Sequence, residues 1–140
     1  MNVLKVTNDA QLKDAYAIRM KVFVDEQHVP KEEELDDLEK VATHFVMYQE
    51  DQVVGAGRLR VVDEVAKVER ICISKEIRGT GAGRLLMSKI ENEARSLGLS
   101  KAKLNAQTHA APFYSKLGYE TISGEFLDAG IPHVTMTKTL

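Results

Sequence analysis

The chain has 140 residues, 44% of them hydrophobic and 29% charged, enough apolar side chains for one domain with a sizeable core. Nineteen Lys and Arg stand against 21 Asp and Glu, a formal charge of −2 that gives no overall attraction to nucleic acid or to an anionic membrane. No apolar run approaches the roughly 20 residues that span a bilayer, Met1 to Val6 is too short and polar for a signal peptide, and the single cysteine, Cys72, allows no internal disulfide, so the reading is one cytoplasmic domain over residues 1–140.

Val3 to Val6 reads as a short first strand. Asn8 is suited to cap a helix, with Gln11 three places on as its capping-box partner. Leu12, Ala15, Tyr16, Arg19, Val22 and Phe23 fall at helical spacing, so the first helix is expected to run to about Val24. Lys31 to Lys40 is charge-rich and reads as a loop with one helical turn around Leu35 and Leu38. His44 to Tyr48 and Val53 to Val62 form a hairpin pattern around a polar turn. Asp63-Glu64 turns the chain again, and Val65 to Ser74 is the fourth strand.

That strand runs into Arg78-Gly79-Thr80-Gly81-Ala82-Gly83-Arg84. A glycine-rich turn between a strand and a helix exposes several N–H groups at the positive end of the helix dipole, which suits a phosphate. Glycine lets the backbone approach an anion with no Cβ in the way. Arg78 and Arg84 add positive charge in a form that pairs with phosphate oxygens. The loop is not a P-loop, because Arg84 and Leu85, not Lys and Ser or Thr, follow Gly83. Nor is it the dinucleotide fingerprint, because Arg84 stands where the third glycine would be.

The next helix carries the stripe Leu86, Ile90, Ala94 and Leu97, and Gly98 fits a Schellman end. Ala102 to Gln107 is a fifth strand, parallel to the fourth across a βαβ crossover. A short helix from about Ala110 to Leu117 ends at Gly118. Tyr119 to Ser123 and His133 to Thr139 read as a final antiparallel pair around Asp128-Ala129-Gly130. Pattern alone gives an α+β fold with one βαβ unit.

Arg-x-x-Gly-x-Gly, read at Arg78, Gly81 and Gly83, resembles the acetyl-CoA pyrophosphate loop of the GNAT superfamily of N-acetyltransferases. Phe113-Tyr114-Ser115-Lys116-Leu117-Gly118-Tyr119 resembles a second GNAT segment, about thirty residues downstream as in that family. Arg19 to Gln27 and Phe126 to His133 resemble a small bacterial branch of the superfamily, the YjcF and ElaA type. The resemblance implies the layered GNAT acyl-CoA N-acyltransferase fold, a mixed, mostly antiparallel sheet splayed between its fourth and fifth strands.

It also implies transfer of acetyl from acetyl-CoA to a small-molecule or protein amine, by direct attack in a ternary complex. The amides of Gly79, Thr80, Gly81, Ala82, Gly83 and Arg84 would hold the pyrophosphate, and the pantetheine arm would pair with Ile71, Cys72 and Ile73. Asn105 would bond pantetheine or nearby backbone, or be an ordinary strand residue. Tyr114 would donate to the thiolate, with a core tyrosine as its bland reading. Glu69 would take the amine's proton, or be a salt-bridged strand residue, for instance with Arg70. Glu26 and the run Glu32, Glu33, Glu34, Asp36 and Asp37 are weaker candidates, and that run also reads as a solvated face or an attractor of cationic substrates.

A nucleophilic Cys72 is disfavoured, with no histidine close in sequence to activate it. The histidines lack metal-ligand spacing, so no metal is expected. Arg19 and Arg58 are open between CoA phosphates, an acidic substrate and the surface. A competing class is a non-catalytic acyl-CoA sensor, a P-loop-like nucleotide enzyme is a weaker third, and a homodimer is left open.

Overall fold

In the computed structural model, which describes residues 1–140, strand β1 (Asn2–Lys5) leads into helix α1 (Asp9–Arg19). Asn8 caps α1 by accepting from the Gln11 amide at 2.9 Å, while the Gln11 side chain reaches back to the Thr7 amide at 2.7 Å, one residue earlier than a standard capping box. Ala15, Ile18 and Val22 are the buried stripe. The helix does not stop near Val24. It continues as a π-helix over Met20–Glu26, a wider coil that often marks functional sites.

A single turn, α2 (Lys31–Glu34), and a 3-10 turn at Glu39–Val41 occupy the charged stretch. The helical turns thus flank Leu35 and Leu38 and do not centre on them. Strands β2 (Thr43–Gln49), β3 (Gln52–Val62) and β4 (Val65–Ile73) form an antiparallel meander. Its two turns are Glu50-Asp51 and Asp63-Glu64, and all four residues have positive φ. Positive φ at both central residues is the type I′ pattern, whose twist matches that of the flanking strands.

Helix α3 (Ala82–Ser96) crosses back to β5 (Lys101–Gln107). Leu86, Met87, Ile90 and Ala94 are buried, whereas Leu97 is the exposed C-cap residue, so the stripe ends one turn before the expected place. The Leu99 amide bonds the Ala94 carbonyl at 3.1 Å across Gly98, which is a Schellman end. Helix α4 (Ala111–Lys116) closes the same way at Gly118, with the Tyr119 amide on the Tyr114 carbonyl at 3.1 Å.

The C-terminal region holds three strands where two were expected: β6 (Glu120–Thr121), β7 (Phe126–Asp128) and β8 (Ile131–Thr139). Both β6 and β7 pair with β8. The sheet order is β1-β2-β3-β4-β5-β8-β6, antiparallel except for β4 with β5. One face packs on α3 through Phe45, Met47, Leu59, Val68, Leu104 and Met136. The other packs on α1 and its π extension through Val46, Ala56 and Cys72. No helix is long and apolar enough to cross a membrane.

Candidate active site

Strands β4 and β5 stay paired over three positions only, Ala66 with Ala102, Lys67 with Lys103 and Val68 with Leu104. Beyond Val68 they diverge. The β5-facing edge of Glu69 to Ile73 therefore has no ladder partner, although Cys72 and Ile73 still pair with Ala56 and Gly55 on β3. A bulge lies at the point of divergence, where the β3–β4 register shifts between Ala56 and Arg58 and Arg70 takes a φ of 56°. The bulge resets alternation along β4. Glu69 stays on the α1 face, Ile71 and Ile73 pack on the α3 face, and Cys72 returns to the α1 face.

The open edge points at the glycine turn. Gly79 and Gly81 have φ of 82° and 90°, and a Cβ added at either would meet nothing within 4 Å. Gly81 is the N-cap of α3 and offers no side-chain hydrogen bond. The amides of Ala82, Gly83 and Arg84 therefore begin a 15-residue helix uncapped, which is what a diphosphate needs. Thr80 turns its hydroxyl inward to the Ile77 carbonyl at 2.6 Å. Arg78 is committed differently from the sequence expectation. Its guanidinium bonds the Ile73 carbonyl at 2.9 Å and Glu26 at 2.8 Å, which ties the π-helix to the loop. Arg84 is exposed and carries the free charge. A Cβ at Gly83 would lie 2.9 Å from the Phe113 ring, so the first turn of α3 and helix α4 touch at that residue.

A cavity of about 900 Å³ fills the splay, and Glu69, Ile71, Cys72, Ile73, Asn105 and Tyr114 all line it. Tyr114 is 8% exposed, with its ring edge-on to Phe113 and Tyr119 at 5.0 and 5.9 Å. Its hydroxyl has no protein partner, yet no buried side-chain polar atom is left unpaired, so the hydroxyl opens to the cavity. Burial and the neighbouring Cys72 push the phenol up from its ordinary value. Asn105 directs its side-chain oxygen to the Thr135 hydroxyl at 2.9 Å.

Cys72 is 4% exposed, and burial pushes its thiol up to about 12. A thiol in that state is a poor nucleophile. Incubation with acetyl-CoA in the absence of amine is accordingly expected to leave Cys72 unmodified by mass spectrometry. An acetyl adduct there would contradict this.

Glu69 is not a free carboxylate. Arg60 donates to both of its oxygens at 2.6 and 3.0 Å, and Arg58 donates at 3.2 Å. Burial works to raise the carboxyl, but the Arg60 hydrogen bonds and the Arg58 and Arg60 charges outweigh it and hold it below the ordinary 4.5. The partners are Arg58 and Arg60, not Arg70. Arg19 and Arg58 are both 1% exposed, which removes the surface and phosphate readings. Arg19 bonds Glu34 at 2.8 Å and Glu39 at 2.7 Å, and Arg58 bonds Asp36 at 2.8 Å and Glu39 at 2.9 Å. Arg70 adds longer bonds to Glu33, Glu34 and Asp36. Three arginines from α1, β3 and β4 thus hold the acidic stretch against the cavity. That stretch is only partly a solvated face: Glu34 is buried, while Glu32, Glu33 and Asp37 remain exposed.

His109, His133 and Asp128 also line the cavity, though no spacing in the sequence marks them as catalytic. His109 lies in the 3-10 turn after β5 and the other two sit on the β7–β8 hairpin, so only the cavity brings them together. No group of His, Cys, Asp or Glu is arranged to hold a metal ion.

Residues 5–140 match the family model described as acetyltransferase (GNAT) domain. The chain is 50% identical over 139 residues to YjcF of Bacillus subtilis (strain 168), described as an uncharacterized N-acetyltransferase, with 99% of each chain covered. It is 30% identical over 134 residues to ElaA of Escherichia coli (strain K12), covering 92% of this chain and 88% of that one. The crystal structure of an acyl-CoA N-acyltransferase from Pseudomonas aeruginosa superposes with a TM-score of 0.88 at 25% identity, covering 99% of this chain and 100% of that chain. A splayed sheet, an uncapped glycine turn and a match over nearly every residue agree: the chain belongs to the GNAT acetyltransferases, in the branch that includes YjcF and ElaA, a family that moves an acetyl group from acetyl-CoA to an amine.

Proposed function

We propose that the protein works as one domain over residues 1–140, in the cytoplasm, and acetylates a primary amine by direct attack on acetyl-CoA in a ternary complex. The observation that carries this reading is the unpaired edge of β4, which runs directly to the uncapped amides of α3. An unpaired peptide edge is a natural partner for the two amides of pantetheine. The diphosphate falls to Gly79 through Arg84, and the pantetheine arm to the backbone of Ile71, Cys72 and Ile73, with Asn105 on the opposite wall.

Tyr114 supports the departing sulfur, because its hydroxyl opens to the cavity. Glu69 faces the same cavity as a carboxylate that two arginines keep ionised. That charge state favours holding the acceptor's ammonium group over keeping its proton. A backbone N–H at the bulge is suited to the oxyanion.

The test is thiol release from acetyl-CoA with a panel of amines. No release with any amine, together with no heat on titrating CoA, would overturn the reading. Gly81→Val is expected to raise KM for acetyl-CoA about tenfold or more. A β-branched residue at a φ of 90° costs roughly 1–2 kcal/mol, and the turn relieves that strain by moving its amides away from the phosphates.

A further inference from the structure

We infer that His133 is the group that takes the proton from the acceptor amine. The inference rests on the acetyl-transfer reading above and assigns a residue within that site. Strand β8 alternates: Met136 lies in the core under α3, so His133 and Thr135 face the opposite side. Glu69 of β4 and Asn105 of β5 lie on that side too, and Thr135 bonds Asn105 across it. His133 pairs with Gln107 at the wide end of the splay.

The ring is held by two contacts. Phe126 stacks on it at 6.0 Å with 25° between the planes. Nδ1 lies 2.6 Å from the Ile131 carbonyl. A carbonyl only accepts, so Nδ1 carries the hydrogen and the lone pair of the neutral ring is on Nε2. His133 is 9% exposed, and Nε2 has no protein partner although no buried polar atom is left unpaired. Nε2 therefore opens to the cavity. Glu69, by contrast, has its oxygens occupied by Arg58 and Arg60.

In the step, Nε2 takes one proton from the acceptor's ammonium group, giving imidazolium and a neutral amine. The amine lone pair forms the C–N bond, the C–S bond breaks, and the sulfur leaves with the hydrogen of the Tyr114 hydroxyl. Tyr114 recovers a hydrogen from the new amide nitrogen. The sum is amide, free thiol and one proton released when His133 returns to neutral. The other charged groups on the cavity wall are Asp128 on the same hairpin, Lys67, Glu69 and Arg70 on β4, Arg78 after it, the acidic stretch from Glu32 to Asp37, and His109 beside Gln107.

The experiment compares kcat against pH for wild type, His133→Gln and His109→Gln, using an amine that wild type acetylates. His133→Gln is expected to lower kcat about 10²-fold. It should remove the acid limb of kcat, keep CoA affinity by calorimetry, and regain rate with added imidazole; His109→Gln should keep the limb. An unchanged limb in His133→Gln, or its loss in His109→Gln, overturns the assignment. Should His133→Gln fail to bind CoA, His109→Gln decides: an acid limb in the kcat of wild type that survives in His109→Gln supports the assignment, and a flat wild-type profile or a limb lost in His109→Gln overturns it. Wild type inactive with every amine counts against acetyl transfer itself, an outcome distinct from active wild type with an indifferent His133→Gln.

Discussion

Tyr114→Phe is expected to lower kcat by about 10²-fold or more while leaving the affinity for CoA nearly unchanged. The variant keeps the ring that packs on Phe113 and Tyr119. The hydroxyl bonds no protein group, so its removal orphans nothing and the fold should be undisturbed. What is lost is a donor aimed into the cavity where the thioester sulfur would lie. Burial keeps the phenol protonated at any working pH, so in the proposed role it would meet the developing thiolate as a hydrogen bond and yield its hydrogen only as another returns. No pH limb near neutrality should therefore belong to Tyr114. Thiol-release kinetics together with calorimetric titration of CoA measure both quantities. An unchanged kcat would remove Tyr114 from the chemistry.

Arg19→Leu should have the largest effect on stability, a loss of about 3–5 kcal/mol, because it leaves Glu34 and Glu39 buried without their shared partner. Chemical unfolding at neutral pH reads that loss. The same cluster fixes how the wild type responds to acid. Burial lowers His44 from its ordinary 6.5, outweighing its bond to the Glu39 carbonyl. For Glu39 and Asp36 burial pulls upward, but the arginines win and hold both below their ordinary 4.5 and 3.8. In each case the unfolded chain takes up protons at a higher pH than the folded one. Stability contributed by these groups is therefore complete above the ordinary values and is lost as pH falls, first through His44 and then through Glu39 and Asp36, whereas burial raises Glu34 and gives it the opposite sign. In Arg19→Leu, Glu39 loses one of the two arginines that hold it down. The gap between variant and wild type should narrow as pH falls, and a gap that widens would contradict the charge assignment.

Much of this was legible because it is local. Gly98 and Gly118 end helices for reasons that lie within five residues of each. The two-residue gaps at Glu50-Asp51 and Asp63-Glu64 sit between strands whose apolar residues keep their period. The arginine cluster was not legible, because β3 carries Arg58 and Arg60 at every second place, as a solvent-facing strand would. Two of Arg58's partners, Asp36 and Glu39, lie in a stretch whose own pattern reads as solvated, 22 and 19 residues away, while Arg60 bonds Glu69 on the next strand. The bulge was hidden for a related reason: Arg70 holds a positive φ with no glycine to announce it. Strand β7 has three residues, two of them exposed, and exists only because β8 is long enough to pair with two partners. The splay itself entered through the family resemblance, since a strand that loses its neighbour halfway looks no different in sequence from one that keeps it.

The touch between Gly83 and Phe113 restricts which replacements this lineage can accept. Alanine at 83 would put a methyl 2.9 Å from the outer edge of the Phe113 ring and press that ring, which packs edge-on against the neighbouring phenol, aside. The glycine turn and the packing of Tyr114 would then be disturbed together, though neither the loop amides nor the phenol had been altered. Drift at these two positions should therefore be coupled: a larger side chain at one should be viable only alongside a smaller one at the other.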